Sequence, residues 1–409
     1  MFPDGHHKAN LNLKYIERIF KFLIWQRGGW KAYLGGPSSI GEYIQFCYSQ
    51  NGERAFDFHF MGENVYEKPF SVVLCTPDEV PPENESGKPL GRHLNGYRIG
   101  FDLGASDRKV SAVIDGLPVF SEEVTWNPKD QSDPEYHYRE IVSALKSARS
   151  YLPRVDAIGG SAAGIYIDNH VRIASLFRGI PPERYDEVKN LFIRIQKEWA
   201  VPLEIVNDGD VTALAGSMSL EDNAVLGIAM GSSEAGGYVN KDGNITGWLN
   251  ELAFAPVDYN PNAPVEEWSG DRGVGALYFS QQCVFRLASK ANIDIPKNLL
   301  PAKQLEFVQV KLEAGHKGAY KIWQSMGYYL GYTIAHYADF YELNHVLILG
   351  RCTSGKGGDL ILTCAGEVLN EEFPELAKKI NLQLPDEKSR RVGQSIAAAS
   401  LPEVKLEGD

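Results

Sequence analysis

Apolar residues recur at Leu13, Ile16, Ile19, Phe20 and Leu23 of LNLKYIERIFKFLIWQ, a helical stripe. SIGEYIQFCYS predicts a second helix, with Ser38 or Ser39 as its cap. RAFDFHF alternates aromatic residues around Asp57 and His59, which predicts a half-buried strand, and KPFSVVLC predicts another. From Pro77 to Asn95 the pattern lapses into PDEVPPENESGKPLGRHLN, rich in Pro, Glu, Gly and Asn, which reads as a linker.

Beyond the linker the periodicity alternates between two and 3.6, the mark of an α/β fold. Strands are predicted at 97–101, 110–114, 118–124, 155–158, 171–175 and 203–206, with helices at 138–151 and 211–220. Strands follow at 224–229 and 236–240, then long helices at 273–288 and 318–342. The chain closes with a strand at 346–349, a helix at 358–372, a short strand at 381–384 and a helix at 392–400. A strand, hairpin and helix unit beginning at Tyr97 begins again at Ala224. The expected division is an α+β extension over 1–96, one lobe over 97–205 that recovers a last helix at 386–402, and a second lobe over 206–385.

Composition narrows the function classes. The 409 residues are too many for one ordinary core, and a net charge of -12 disfavours general nucleic-acid or anionic-membrane binding. Five scattered cysteines form no C-x-x-C pair, the N-terminus lacks the apolar core of a signal peptide, and no apolar run reaches membrane-spanning length. These features predict a reduced, cytoplasmic protein.

Four stretches carry chemistry. GFDLGASDRK places Asp102 at a strand end before a Gly104-Ala105-Ser106 turn; a carboxylate there suits hydrated magnesium, and the small turn suits phosphate. In VNDGDVTALAG, Asp210 is placed to cap the following helix, while Asp208 is free to act as a general base. AMGSSEAGG offers a second phosphate turn at Gly231, Ser232 and Ser233, with Glu234 expected to point away from it. HVLILGRCTSGKGGDL runs an apolar strand into Gly350, a shelf for adenosine.

The order of these four stretches resembles the actin, Hsp70 and sugar-kinase superfamily, and more narrowly the ROK family of repressors and sugar kinases. GGSAAGIYIDNHVRIASLFRGI, NELAFAPV, SGDRGVGALYFS and VGQSIAAASL are similar to further ROK segments, so the likeness spans about residues 97 to 402. It implies a two-lobed, actin-like (ribonuclease H-like) ATPase fold. It also implies ATP and Mg2+ as cofactors, with Asp102 holding the metal through water. Ser161, Ser175, Asn207 and Glu251 would be contacts to a sugar or polyol, and the assembly a homodimer.

The likeness breaks at the family's zinc site. Its histidine position carries Phe254 and its cysteine positions carry Glu267, Ser269 and Val274, so no zinc is expected. A second acidic sugar contact would fall at Ala276, and Ser106-Asp107 stands where the first loop usually has Thr-Lys. Phe254 is expected to fill the metal's space rather than to stack on a sugar ring. Many ROK regulators begin with a winged helix, but residues 1 to 97 are about charge-neutral and dominated by aromatics and glycines, which argues against DNA binding. The expected activity is ATP-dependent phosphorylation of a sugar or polyol. The alternatives are a non-catalytic sensor on the same fold and, more remotely, a nucleotide-dependent assembly protein.

Overall fold

The computed structural model describes residues 1–3, 5–82, 89–385 and 387–404, with only the backbone of 387–392. Residues 83–88 of the predicted linker and Asp386 of the predicted last helix lie outside the described residues. The first segment runs α1 (Leu11–Arg27), β1 (Lys31–Gly35), α2 (Ser38–Cys47), α3 (Ala55–His59, continued by a π-helical turn over Phe60–Tyr66) and β2 (Ser71–Cys75). β1 and β2 pair in parallel.

Two corrections apply here. The strand expected at 54–60 is α3, because Phe56 and Phe60 also share a face at helical spacing, and their rings lie 5.5 Å apart. The stripe expected on α1 is not its buried face. Glu17, Arg18 and Lys21 are buried with Phe20, Phe22 and Trp25, while Leu23 is exposed.

Next come β3 (Tyr97–Leu103), β4 (Asp107–Ile114), β5 (Leu117–Thr125), α4 (Pro134–Arg149), β6 (Ala157–Ala162), β7 (Ile165–Ile167) and β8 (His170–Ile173). α5 (Tyr185–Lys189), α6 (Leu191–Trp199) and β9 (Leu203–Asn207) complete this half. Its sheet has the order β5-β4-β3-β6-β9, antiparallel through β3 and parallel beyond it.

The second half holds α7 (Asp208–Leu220), β10 (Val225–Met230), β11 (Glu234–Val239), α8 (Gln281–Ala288), α9 (Pro301–Glu313) and α10 (Lys317–Tyr337). It ends with β12 (His345–Leu349), α11 (Lys356–Glu372), α12 (Pro374–Lys379), β13 (Asn381–Gln383) and α13 (Glu387–Ala399). The sheet order is β11-β10-β12-β13, with one antiparallel pair where the first sheet has two, again followed by parallel strands. The repeat read from the sequence is therefore a repeat of sheet topology. The long helix expected at 273–288 begins only at Gln281: Gly273 is left-handed at φ 67°, a 3-10 turn follows, and Ser280 caps α8. α5, α6 and α9 form where no helix was expected.

α13 returns to the first sheet. Gly100 and Gly159 are paired neighbours on β3 and β6, and a Cβ on either would lie 1.7 or 1.6 Å from a carbonyl of α13. Only glycine allows so close a helix on a sheet. Residues 90–93 are tied down rather than free: Arg92 donates to Ser217 and Asn223, and the His93 N–H to the Ser400 carbonyl.

The N-terminal segment shares one core with the second half. Phe22 packs on Tyr337 and Phe340, and Trp25 packs on Phe254 at 4.7 Å. Phe56, Phe60 and Trp268 complete the aromatic cluster around Phe254. Beneath it lies a buried ionic cluster. Asp271 accepts from Arg18 at 2.9 Å, Lys21 at 3.1 Å and Arg54 at 2.7 Å; Glu17 holds both arginines, and Asp57 holds Lys21. Burial opposes ionisation, yet Lys21, Arg18 and Arg54 hold the Asp271 carboxyl well below the usual carboxylate range. Among the described residues no helix is long and apolar enough to cross a membrane.

Candidate active site

Parallel strands end on one side of the first sheet, where open α/β sheets place their ligands. Asp102 near the end of β3 is in register with Ser161 on β6, which is in register with Val206 on β9, one residue before Asn207. The Ser161 hydroxyl donates to Asp102 Oδ1 at 2.6 Å, and Lys109 Nζ stands 3.9 Å from Oδ2. Asn207 caps α7, accepting from the Gly209 N–H at 2.7 Å and donating to the Gly164 carbonyl at 2.8 Å. That cap releases Asp208 and Asp210 for other work.

Asp210 does not cap the helix, as the sequence suggested. It is buried, and its Oδ1 accepts from the Tyr238 N–H at 3.1 Å and from Asn250 Nδ2 at 3.0 Å. Asp208 is half-buried in the first turn of α7, with Asp102, Glu251 and Tyr166 near enough to influence its titration or be influenced by it.

The electrostatics follow from crowding acids with little cationic relief. Burial, then the Asp102 charge, pushes the Asp208 carboxyl up to about 6. Burial and Asp208 push Glu251 up to about 7, and burial leads the rise of Asp210 to about 8. Asp102 is raised too, chiefly by burial, against the opposing Ser161 and Lys109. A carboxyl poised near neutrality can take a proton and later release it.

The turn at Gly104–Ser106 joins β3 to β4; the Gly104 N–H donates to the Asp107 carbonyl, while Ala105 and Ser106 are exposed at the tip. The turn at Gly231–Ser233 joins β10 to β11, with Ser232 and Ser233 exposed. Glu234 starts β11 and turns inward. It is buried, its carboxyl lies against Gly275, and neither of its oxygens has a hydrogen-bond partner, so burial pushes it up to about 8. It therefore places no charge on the exposed face of the turn.

β12 ends at Gly350, left-handed at φ 97°, where a Cβ would sit 2.6 Å from the Met230 carbonyl. Beside it a cavity of about 580 Å³ is lined by Lys109, Thr212, Gly216, Leu349, Gly350 and Arg351, among others. Ser175 is exposed in the turn after β8, and nothing places it against the acid cluster. Lys109, Asp210, Asn250 and Tyr166 were missed as site residues. Lys109 had a signal, since it directly follows the Asp-Arg of the first turn; the others are assembled by tertiary contacts.

The positions at which the resemblance would put a zinc site are built otherwise. Phe254 lies in the aromatic cluster, Ser269 donates to Glu266, and Val274 is buried. Among the described residues, no group of three or more His, Cys, Asp and Glu is placed to hold a metal ion.

No family model and no curated protein matches the chain. Solved structures do match in fold. A ROK hexokinase from Thermus thermophilus aligns with TM-score 0.58 and 17% identity, over 74% of this chain and 97% of its own. Lmo2764 from Listeria monocytogenes, described as a putative N-acetylmannosamine kinase, aligns with TM-score 0.54 and 14% identity, over 74% and 97%. A ROK family transcriptional regulator, homologous to the E. coli MLC protein, aligns with TM-score 0.56 and 15% identity, over 96% of each chain. The chain thus has the two-lobed fold that these kinases and this regulator share.

Proposed function

We propose that the protein is an ATP-dependent kinase that transfers the γ-phosphoryl group to a hydroxyl of a sugar or sugar-like polyol. The observation that carries this reading is Asp208. It stands in the first turn of α7, directly after strand β9, where burial and the nearby Asp102 push its carboxyl up to about 6 and Glu251 is coupled to it. The lobes are 97–205 with 386–402, and 206–385.

In this reading Asp208 takes the proton from the attacking hydroxyl while Glu251 orients the acceptor, assisted by Ser161, Asn207 and Ser175. Proton removal of this kind contributes about 10²–10⁴-fold. The turns at Gly104–Ser106 and Gly231–Ser233 receive the phosphates, and the cavity beside Gly350 takes the nucleoside. Asp102 fits a water-bridged Mg2+, since its repulsion with Asp208 is what a cation relieves. Magnesium bound with the nucleotide offsets charge on the phosphates. Lobe closure excludes water, so that ATP is not hydrolysed instead.

A second reading, a sensor that binds ligand without turnover, draws support from the length match to the regulator, whose alignment extends over the N-terminal segment. The test is ADP release from MgATP against a panel of sugars and polyols. Sugar-dependent release that is lost in Asp208→Asn supports the kinase. Ligand-induced stabilisation without release by any sugar supports the sensor instead.

A further inference from the structure

Helix α1 ends in the wall of this site. A helix leaves its last four carbonyls without donors of its own. In α1 the Ile24 carbonyl accepts from Gly28, but the Trp25 and Gln26 carbonyls accept from the N–H groups of Glu251 and Asn250, each at 3.0 Å. Asn250 is left-handed at φ 49°, a conformation asparagine tolerates better than most residues.

Side chains extend the connection. The Tyr341 hydroxyl donates to Asn250 Oδ1 at 2.9 Å, and Asn250 Nδ2 donates to Asp210 Oδ1. Gln26 Nε2 donates to the carbonyl of Phe340, the neighbour of Tyr341, at 3.1 Å. Gln26, Asn250, Tyr341 and Asp210 are all buried. The nucleotide-side cavity, by contrast, is lined by no described residue of 1–96.

We infer that the N-terminal segment is a working wall of the acceptor site: the last turn of α1 positions Glu251, with Gln26, Asn250 and Tyr341 as positioning residues. Calling Glu251 an acceptor contact rests on the kinase reading; the coupling of α1 to Glu251 does not. The described part of the segment meets the cleft through Glu251 and Asn250 and not through the nucleotide-side cavity, so its loosening weakens acceptor binding selectively.

The test uses the full chain with Tyr341→Phe, Gln26→Met as a second variant, and Tyr332→Phe as the control. Tyr332 is an exposed residue of α10 bonded to Glu372. Two quantities are read: hydrogen exchange at the Asn250 and Glu251 amides without ligand, and KM for D-glucose against KM for MgATP. Loss of one buried hydrogen bond is expected to speed exchange at both amides, and to raise the glucose KM, by about tenfold each, leaving kcat and the MgATP KM within about twofold. The control changes neither. Unchanged exchange at both amides in a variant that melts normally overturns the inference, as does an equal rise in both KM values. A wild type that phosphorylates no sugar counts against the kinase reading alone, because the exchange result still decides the coupling.

Discussion

Two buried groups of carboxylates lie on either side of Trp25, and they are treated in opposite ways. In the seam between α1 and the second lobe, Glu17, Asp57 and Asp271 meet Arg18, Lys21 and Arg54, so charges balance one for one. In the cleft, Asp102, Asp208, Asp210 and Glu251 have Lys109 at 3.9 Å from Asp102 as their nearby cation. The seam acids, Glu17 and Asp271, stay ionised because their partners outweigh the cost of burial. The cleft acids are held in a state where one proton more or less is cheap, which suits proton transfer. A balanced cluster fastens two parts of the fold; an unbalanced one has the properties that proton transfer needs.

The comparison sharpens or breaks under substitution. The largest effect is expected for Asp208→Asn, with a loss of turnover of about 10²–10⁴-fold together with a higher melting temperature, since one of several repelling acids is removed. Phosphoryl transfer and calorimetry on the same sample check both halves. Asp271→Ala acts the other way. It leaves Arg18, Lys21 and Arg54 with two acids, Glu17 and Asp57, and so one buried positive charge in excess; the expected cost is about 3–5 kcal/mol in denaturant unfolding.

The pH dependence separates the regions by sign. Cleft carboxyls have folded pKa values above their unfolded ones, so the folded state binds more protons between about pH 4 and 8. Their contribution is full at low pH and is lost as pH rises through about 6 to 8. The lowered Asp271 and Glu17 contribute above the normal carboxylate range and lose that contribution as pH falls through their depressed values. Glu234 belongs with the first class, since burial alone raises it. Glu234→Gln is expected to flatten the decline in stability between pH 7 and 9 by about 1.4 kcal/mol, read from unfolding curves at each pH. The smallest effect is expected for Glu67→Ala. Its ion pairs with Arg172 and Lys189 tie the N-terminal segment to the first lobe at the surface, and their loss is expected to cost about 0–1 kcal/mol in the same assay.

The cleft was the more legible of the two regions. Asp102, Asp208 and Gly350 each stand at the end of an apolar strand, and that local signature survives in one sequence. The seam was not legible, because Arg18 and Asp271 lie 253 positions apart and only folding brings them together. α3 was misread because an alternating run of three aromatic residues also fits a helix at spacing four. Asp210 fits a cap by sequence alone, but Asn207, three residues earlier, fits as well and takes the role in the fold. Asn250 carries no local signal, since its partners, the Gln26 carbonyl, Tyr341 and Asp210, come together only in the fold.

The central claim is that burial and Asp102 tune Asp208 to act as a base. It is tested most directly by the pH profile of kcat/KM for the acceptor in the wild type and in Asp102→Asn. The account predicts an acid limb with its midpoint at about 6, moving to lower pH in the residual activity of the variant. A flat profile, or a midpoint that stays where it was when Asp102 loses its charge, would contradict it.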